Sequence, residues 1–171
     1  MWDRLGRQVA VERQQLHRLL KVYRAVLEKC ASTPPNDVEL SALAAMLHSF
    51  YNGIENIFKR IAELDGQSPR GQAWHRELLD LMAEPGKARP AVISESLVER
   101  LDSYLDFRHF FRHSYVFDLR WDGMEALVLG CEETLKLLED EPGPLFRSRE
   151  RKRRIAHATP RHHRQPQREA G

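Results

Sequence analysis

The sequence predicts an all-α fold, a bundle of four main helices and one short one. Three observations carry the prediction. Apolar residues recur at three-to-four spacing through four long stretches, and clusters rich in Pro, Gly, Asn and Ser separate them. No stretch alternates apolar and polar residues as a half-buried strand would, and no repeat is visible.

Trp2 to about Cys30 reads as a long amphipathic helix, its apolar side formed by Leu5, Val9, Leu16, Leu19, Leu20, Tyr23, Val26 and Leu27. Ser32-Thr33-Pro34-Pro35-Asn36-Asp37 stops it and offers caps to the next helix. That second helix runs from about Val38 to Leu64, with a stripe through Leu43, Leu47, Phe50, Tyr51, Ile54, Phe58 and Ile61. Gly53 in its middle costs up to about 1 kcal/mol relative to Ala, a sign that another backbone approaches there. Glu55 and Asn56, beside the stripe, read as solvated or hydrogen-bonded helix residues. After the turn Asp65–Pro69, Ser68 reads as N-cap and Pro69 as first helical residue of a short helix ending at Ala83. The loop Glu84–Pro90 follows. A further helix starts near Ser94, carries Leu97, Leu101, Tyr104 and Leu105, and loses its apolar side as it enters Arg108–Arg112. Asp122 and Glu125 have the spacing of a capping box for a last helix to about Glu139, which buries Met124, Leu127, Val128, Cys131, Leu135 and Leu138.

The net charge of +2 hides a division. From Arg147 onward nine Lys and Arg face only Glu150 and Glu169, whereas the rest of the chain holds 18 basic and 23 acidic residues. The basic part has almost no apolar content, which predicts disorder when free. The chain therefore divides into a helical domain, residues 1–143, and a basic tail, residues 144–171, able to touch RNA or another acidic partner. No run of about 18 apolar residues predicts a membrane span. Met1-Trp2-Asp3-Arg4 lacks the basic-then-apolar layout of a signal peptide. Cys30 and Cys131, each inside a helical pattern, read as reduced core thiols of a cytoplasmic protein, and no Cys/His spacing resembles a zinc site.

One segment departs from the scaffold. Arg108-His109-Phe110-Phe111-Arg112-His113-Ser114-Tyr115 packs two arginines, two histidines and a tyrosine into little more than two helical turns. Arginine neutralises a phosphate bidentately, and histidine carries a proton near neutral pH. Arg108 and His113 can face one cleft only if the helix breaks around 112–115, which Ser114 and the change of pattern predict. Such a cleft suits RNA cleavage: His113 moves a proton and Arg108 holds the scissile phosphate. No metal or cofactor is needed, because the attacking 2′-hydroxyl belongs to the substrate. Two protomers on a two-fold axis would bring two His113 residues to one cleft. The spacing alone is unspecific, since Arg70 and His75 share it, and a charged helix end with a histidine near its C-terminal dipole reads the same way. A metal pair held by Asp102, Asp106, His109, His113 and Glu55 is a third reading, but only one helix offers candidates where such sites draw Glu-x-x-His pairs from two. Arg112 reads as a second phosphate contact or a surface charge, and Asp106, with Asp102, as an acid that orients an arginine or histidine.

The segment resembles the R-x4-6-H signature of the HEPN superfamily and, more narrowly, the R-x4-H-x-Y form of HepT toxins. Arg108 falls on the family arginine, His113 on the histidine and Tyr115 on the tyrosine, and His109 takes the position after the arginine, where the family favours a polar residue. Tyr51-Asn52-Gly53-Ile54-Glu55-Asn56, Arg89-Pro90-Ala91-Val92-Ile93-Ser94 and Phe117-Asp118-Leu119 extend the similarity over roughly residues 5–140. The resemblance implies a HEPN-type helical bundle and a dimeric, metal-independent endoribonuclease with a composite site. It also implies an MntA-like nucleotidyltransferase antitoxin that adds AMP to Tyr115. A HEPN-like module that binds RNA or a protein partner without catalysis is the alternative reading.

Overall fold

The computed structural model describes residues 2–141, apart from Gln72 and Ala88. The predicted basic tail and the domain boundary at residue 143 lie outside the described residues. Five α-helices, and no strand, form the chain among those residues: α1 (Trp2–Cys30), α2 (Asp37–Leu64), α3 (Trp74–Ala83), α4 (Glu95–His113) and α5 (Glu125–Asp140). A single 3-10 turn, Val116–Asp118, lies between the last two. The predicted all-α bundle of four main helices and one short one, α3, is thus the observed one.

α2 is the central helix and packs against all four others. Its stripe explains why: Leu43, Met46, Leu47, Phe50, Tyr51, Ile54, Ile57, Phe58 and Ile61 are all buried, too broad a face for one neighbour to cover. A capping box fixes its start. The Asn36 side chain accepts from the Glu39 N–H at 2.9 Å, and Glu39 Oε2 accepts from the Asn36 N–H at 2.9 Å. At Gly53 the close neighbour is the side chain of Leu16 from α1, not a backbone; a Cβ there would lie 2.7 Å from Leu16 Cδ2. Cys30 and Cys131 are buried free thiols, and burial pushes Cys131 up to about 12.

Two predicted helix starts move. α3 begins at Trp74, and neither Ser68 nor Pro69 belongs to it. Gly71, at φ +97°, holds the chain in the left-handed region and keeps a right-handed helix from starting before it. The capping box at Asp122 and Glu125 does not form. Asp122 Oδ1 accepts from the Gly123 N–H instead, and Trp121 O takes the N–H groups of Met124 and Glu125 at 2.8 Å. A backbone turn has done the work of the cap.

The loop between α3 and α4 is clasped from inside. Arg89 lies buried, with Nη1 donating to the carbonyls of Glu84 and Pro90, Nη2 donating to that of Leu81, and Nε 2.6 Å from Asp65 Oδ2. No described helix is long and apolar enough to cross a membrane.

Candidate active site

α4 carries the arginine–histidine segment, and its own geometry sorts those side chains. The helix runs unbroken through His113; Ser114, with φ −99° and ψ 151°, ends it, and its hydroxyl donates to the Phe110 carbonyl at 2.8 Å. The helix thus ends at Ser114, inside the expected window of 112–115, with His113 as its last residue. At 3.6 residues per turn the two side chains leave the helix about 140° apart.

Arg108 points inward. It is 8% exposed and meets three residues from two other helices. Its Nε donates to Asn52 Oδ1 at 2.9 Å and lies 3.6 Å from Glu55 Oε2, both on α2. Its Nη1 lies 3.1 Å from Nε2 of His75, the second residue of α3. His75 Nδ1 in turn sits 2.8 Å from Glu55 Oε2, and the other Glu55 oxygen pairs with Lys59 Nζ at 2.9 Å. Asn52, Glu55 and Lys59 recur at three-to-four spacing on α2, so one polar edge of that helix supplies three members of the cluster. Glu55, expected to be solvated or hydrogen-bonded, is the latter: it is only 2% exposed and paired with His75 and Lys59.

The guanidinium is therefore only partly used. Nε and Nη1 have protein partners, whereas Nη2 makes no hydrogen bond to a described residue and is not sealed from solvent. A buried arginine with one open edge is a pre-formed oxyanion binder, since its plane is set before any ligand arrives.

Two imidazoles border this cluster. His75 has its pKa held below the usual histidine range, first by burial and then by the charge of Arg108, while Glu55 opposes both. His48, one turn before Asn52, packs its ring 5.2 Å from that of Phe111, and its Nδ1 is buried with no hydrogen-bond partner among the described residues. Burial, then the charges of Arg108 and Arg112, lower its pKa too.

The remaining sequence-predicted residues sit on the outside. His109 is exposed, its ring edge-on to His75 at 5.6 Å. Arg112 is exposed one turn beyond Arg108, and His113 is exposed at the helix end. Tyr115 is 70% exposed and stacks on Phe117, ring centroids 5.1 Å apart. Asp102 and Asp106 both pair with Arg76 of α3, Asp106 at 3.9 Å, so the arginine they orient is neither Arg108 nor Arg112. No cluster of His, Cys, Asp and Glu among the described residues could hold a metal. Glu55, a candidate ligand of the metal-pair reading, is spent on His75, Lys59 and Arg108.

Asn52 and His75 were missed as site residues, and Glu55 was named only as a candidate ligand of the metal-pair reading. Asn52 and Glu55 carry a faint signal, polar residues three apart on an otherwise apolar helix. His75 carries none, because nothing in one chain's pattern places α3 against α4.

The all-helical bundle, with an arginine–histidine segment ending its fourth helix, has the architecture of a HEPN-type helical bundle. Residues 42–145 match the family described as HepT-like protein, and the chain belongs to that family. The match spans α2 to α5 and with them every residue of the cluster. No curated protein and no solved structure matches the chain. The family is one of HEPN toxin-type proteins, generally ribonucleases.

Proposed function

We propose that the protein is a HepT-like toxin that cleaves RNA without a metal, with Arg108 on the scissile phosphate and His113 in proton transfer. The observation that carries this reading is the half-satisfied buried guanidinium of Arg108. A structural arginine would have its donors consumed, whereas this one keeps an edge for an anion. In the reaction the 2′-oxygen forms a bond to phosphorus while the bond from phosphorus to the 5′-oxygen breaks. One histidine takes the 2′-hydroxyl proton, another protonates the leaving 5′-oxygen, and a 2′,3′-cyclic phosphate results. Arg108 Nη2 stabilises the charge that grows on the phosphoryl oxygens.

Because Arg108 and His113 diverge on α4, the reading places the working site between two protomers. The surface around His113 supports that. Phe110, Tyr115, Val116 and Phe117 are all exposed there, a run of apolar area that a second copy on a two-fold axis would cover. His109 and Arg112, exposed beside the cleft, serve as RNA contacts, and Asp106 holds Arg76 at its edge. Tyr115 is open to modification by an MntA-like nucleotidyltransferase antitoxin. AMP on its hydroxyl would add bulk and negative charge that compete for Arg108.

The test is cleavage of a tRNA pool and a generic mRNA by the purified protein in EDTA, beside His113→Ala. We expect fragments with 2′,3′-cyclic phosphate ends, and a loss of about 10²- to 10⁴-fold in the variant. No cleavage by wild-type protein whose intact mass shows Tyr115 unmodified would leave the non-catalytic module as the reading.

A further inference from the structure

His75 lies too deep to meet a substrate, yet both of its ring nitrogens are committed. Its neighbours dictate how. The Glu55 carboxylate can only accept, so the proton sits on Nδ1. The Arg108 guanidinium can only donate, so Nε2 must present its lone pair. Both demands select the same neutral tautomer, and the other tautomer would set an N–H against a cation. A ring flip would put C–H groups against both partners, and it is also obstructed: the Trp74 ring packs on His75 with centroids 3.6 Å apart, and His109 meets it edge-on. The charged groups facing the ring are Glu55 from α2 and Arg108 from α4, with His109 the titratable neighbour. Lys59 fixes the far oxygen of Glu55, so a continuous line runs from Lys59 through Glu55 and His75 to Arg108.

We infer that His75 is a positioning residue for Arg108: held as the Nδ1–H tautomer by Glu55, it accepts from Nη1 and turns the free Nη2 edge toward the phosphate site. Asn52 fixes the guanidinium at Nε, and His75 fixes it at Nη1. Two contacts from two helices define both the plane and its rotation. The inference rests on the ribonuclease reading for what Arg108 holds, but its geometry can be tested apart from cleavage.

Two isosteres separate positioning from mere packing. In His75→Gln the amide oxygen reaches the place of Nε2 and can still accept from Arg108. In His75→Asn the amide reaches only the place of Nδ1, keeps Glu55 and leaves Nη1 unmet. With an RNA oligonucleotide as substrate, we expect kcat of His75→Asn to fall about 10²-fold with little change in KM. His75→Gln should recover most of that loss. Equal kcat in the two variants, or the reverse order, overturns the inference while the ribonuclease reading stands. A second measurement needs no activity. Long-range ¹H–¹⁵N correlation of the whole chain should show His75 protonated at Nδ1 alone, and the Arg108 Nη1–H as a dispersed line that collapses in His75→Asn. A proton on Nε2, or an unmoved Arg108 line, overturns the positioning role. If wild-type protein cleaves nothing but these signals appear, the ribonuclease reading falls and the positioning of Arg108 survives it.

Discussion

Two arginines are buried among the described residues, and the contrast between them separates a guanidinium spent on the fold from one with an open edge. Arg89 uses every nitrogen on the protein: three carbonyls take Nη1 and Nη2, and Asp65 sits against Nε. Nε makes no aligned hydrogen bond to that carboxylate, so the 2.6 Å contact is ionic. Both side chains are almost fully removed from solvent, at 2% and 1% exposure. Arg108 has the same chemistry and nearly the same depth, but Asn52, Glu55 and His75 occupy only Nε and Nη1. A saturated guanidinium is a clasp. An unsaturated one keeps an edge free for a ligand, the role proposed for Arg108.

Removing each arginine should break this comparison most sharply. Arg89→Leu leaves the Asp65 carboxylate buried and unpaired, and we expect about 3–5 kcal/mol of lost stability in urea unfolding, with the loop 84–94 released. Arg108→Leu should instead lose cleavage by about 10²- to 10³-fold at a temperature where the chain is folded, because a donor to the developing charge is gone. Comparable effects on both stability and rate in the two variants would erase the distinction.

A smaller effect tests the clasp by its shape. A Cβ at residue 86 would run into the Asp65 carboxylate and the stem of Arg89. Gly86→Ala should cost about 1–3 kcal/mol in the same unfolding measurement. Cleavage per folded molecule should not change.

The least effect per unit of change comes from pH, and it belongs to the Arg108 side alone. His48 and His75 both have pKa values lowered in the fold, chiefly by burial. Below about pH 6.5 the unfolded chain takes up protons that the folded chain refuses. Stability is therefore full above that pH and declines as pH falls through the window down to the folded pKa values. The slope is at most about 1.4 kcal/mol per pH unit for each group. Denaturation midpoints between pH 7.5 and 5 should fall accordingly, and His75→Gln should flatten the decline. A flat profile in the wild type would mean that neither imidazole is held neutral.

How much of this could be read from residues in order depends on the range of the contacts. The stripe of α2, the extent of α1 and the presence of caps in Ser32–Asp37 are local, set by spacings within one or two turns, and the sequence conveys them directly. The start of α3 was misread because Ser68 and Pro69 look like a cap. The left-handed conformation of Gly71 keeps the helix from starting before it, and α3 starts at Trp74. Likewise Asp122 and Glu125 have the spacing of a box, but the carbonyl of Trp121 reaches the same donors first.

The sequence by itself determined that this chain is an all-helical bundle and that Arg108 to Tyr115 is its chemically distinctive segment. Periodicity and local composition suffice for both, because helix formation and side-chain chemistry are properties of neighbours along the chain. Only the tertiary structure decided that Arg108 turns inward while His113 stays on the surface. It also decided that Glu55 and His75 are buried partners of that arginine. These residues lie 53 and 33 positions from Arg108, so their meeting depends on how α2, α3 and α4 pack, and no spacing within one helix records it.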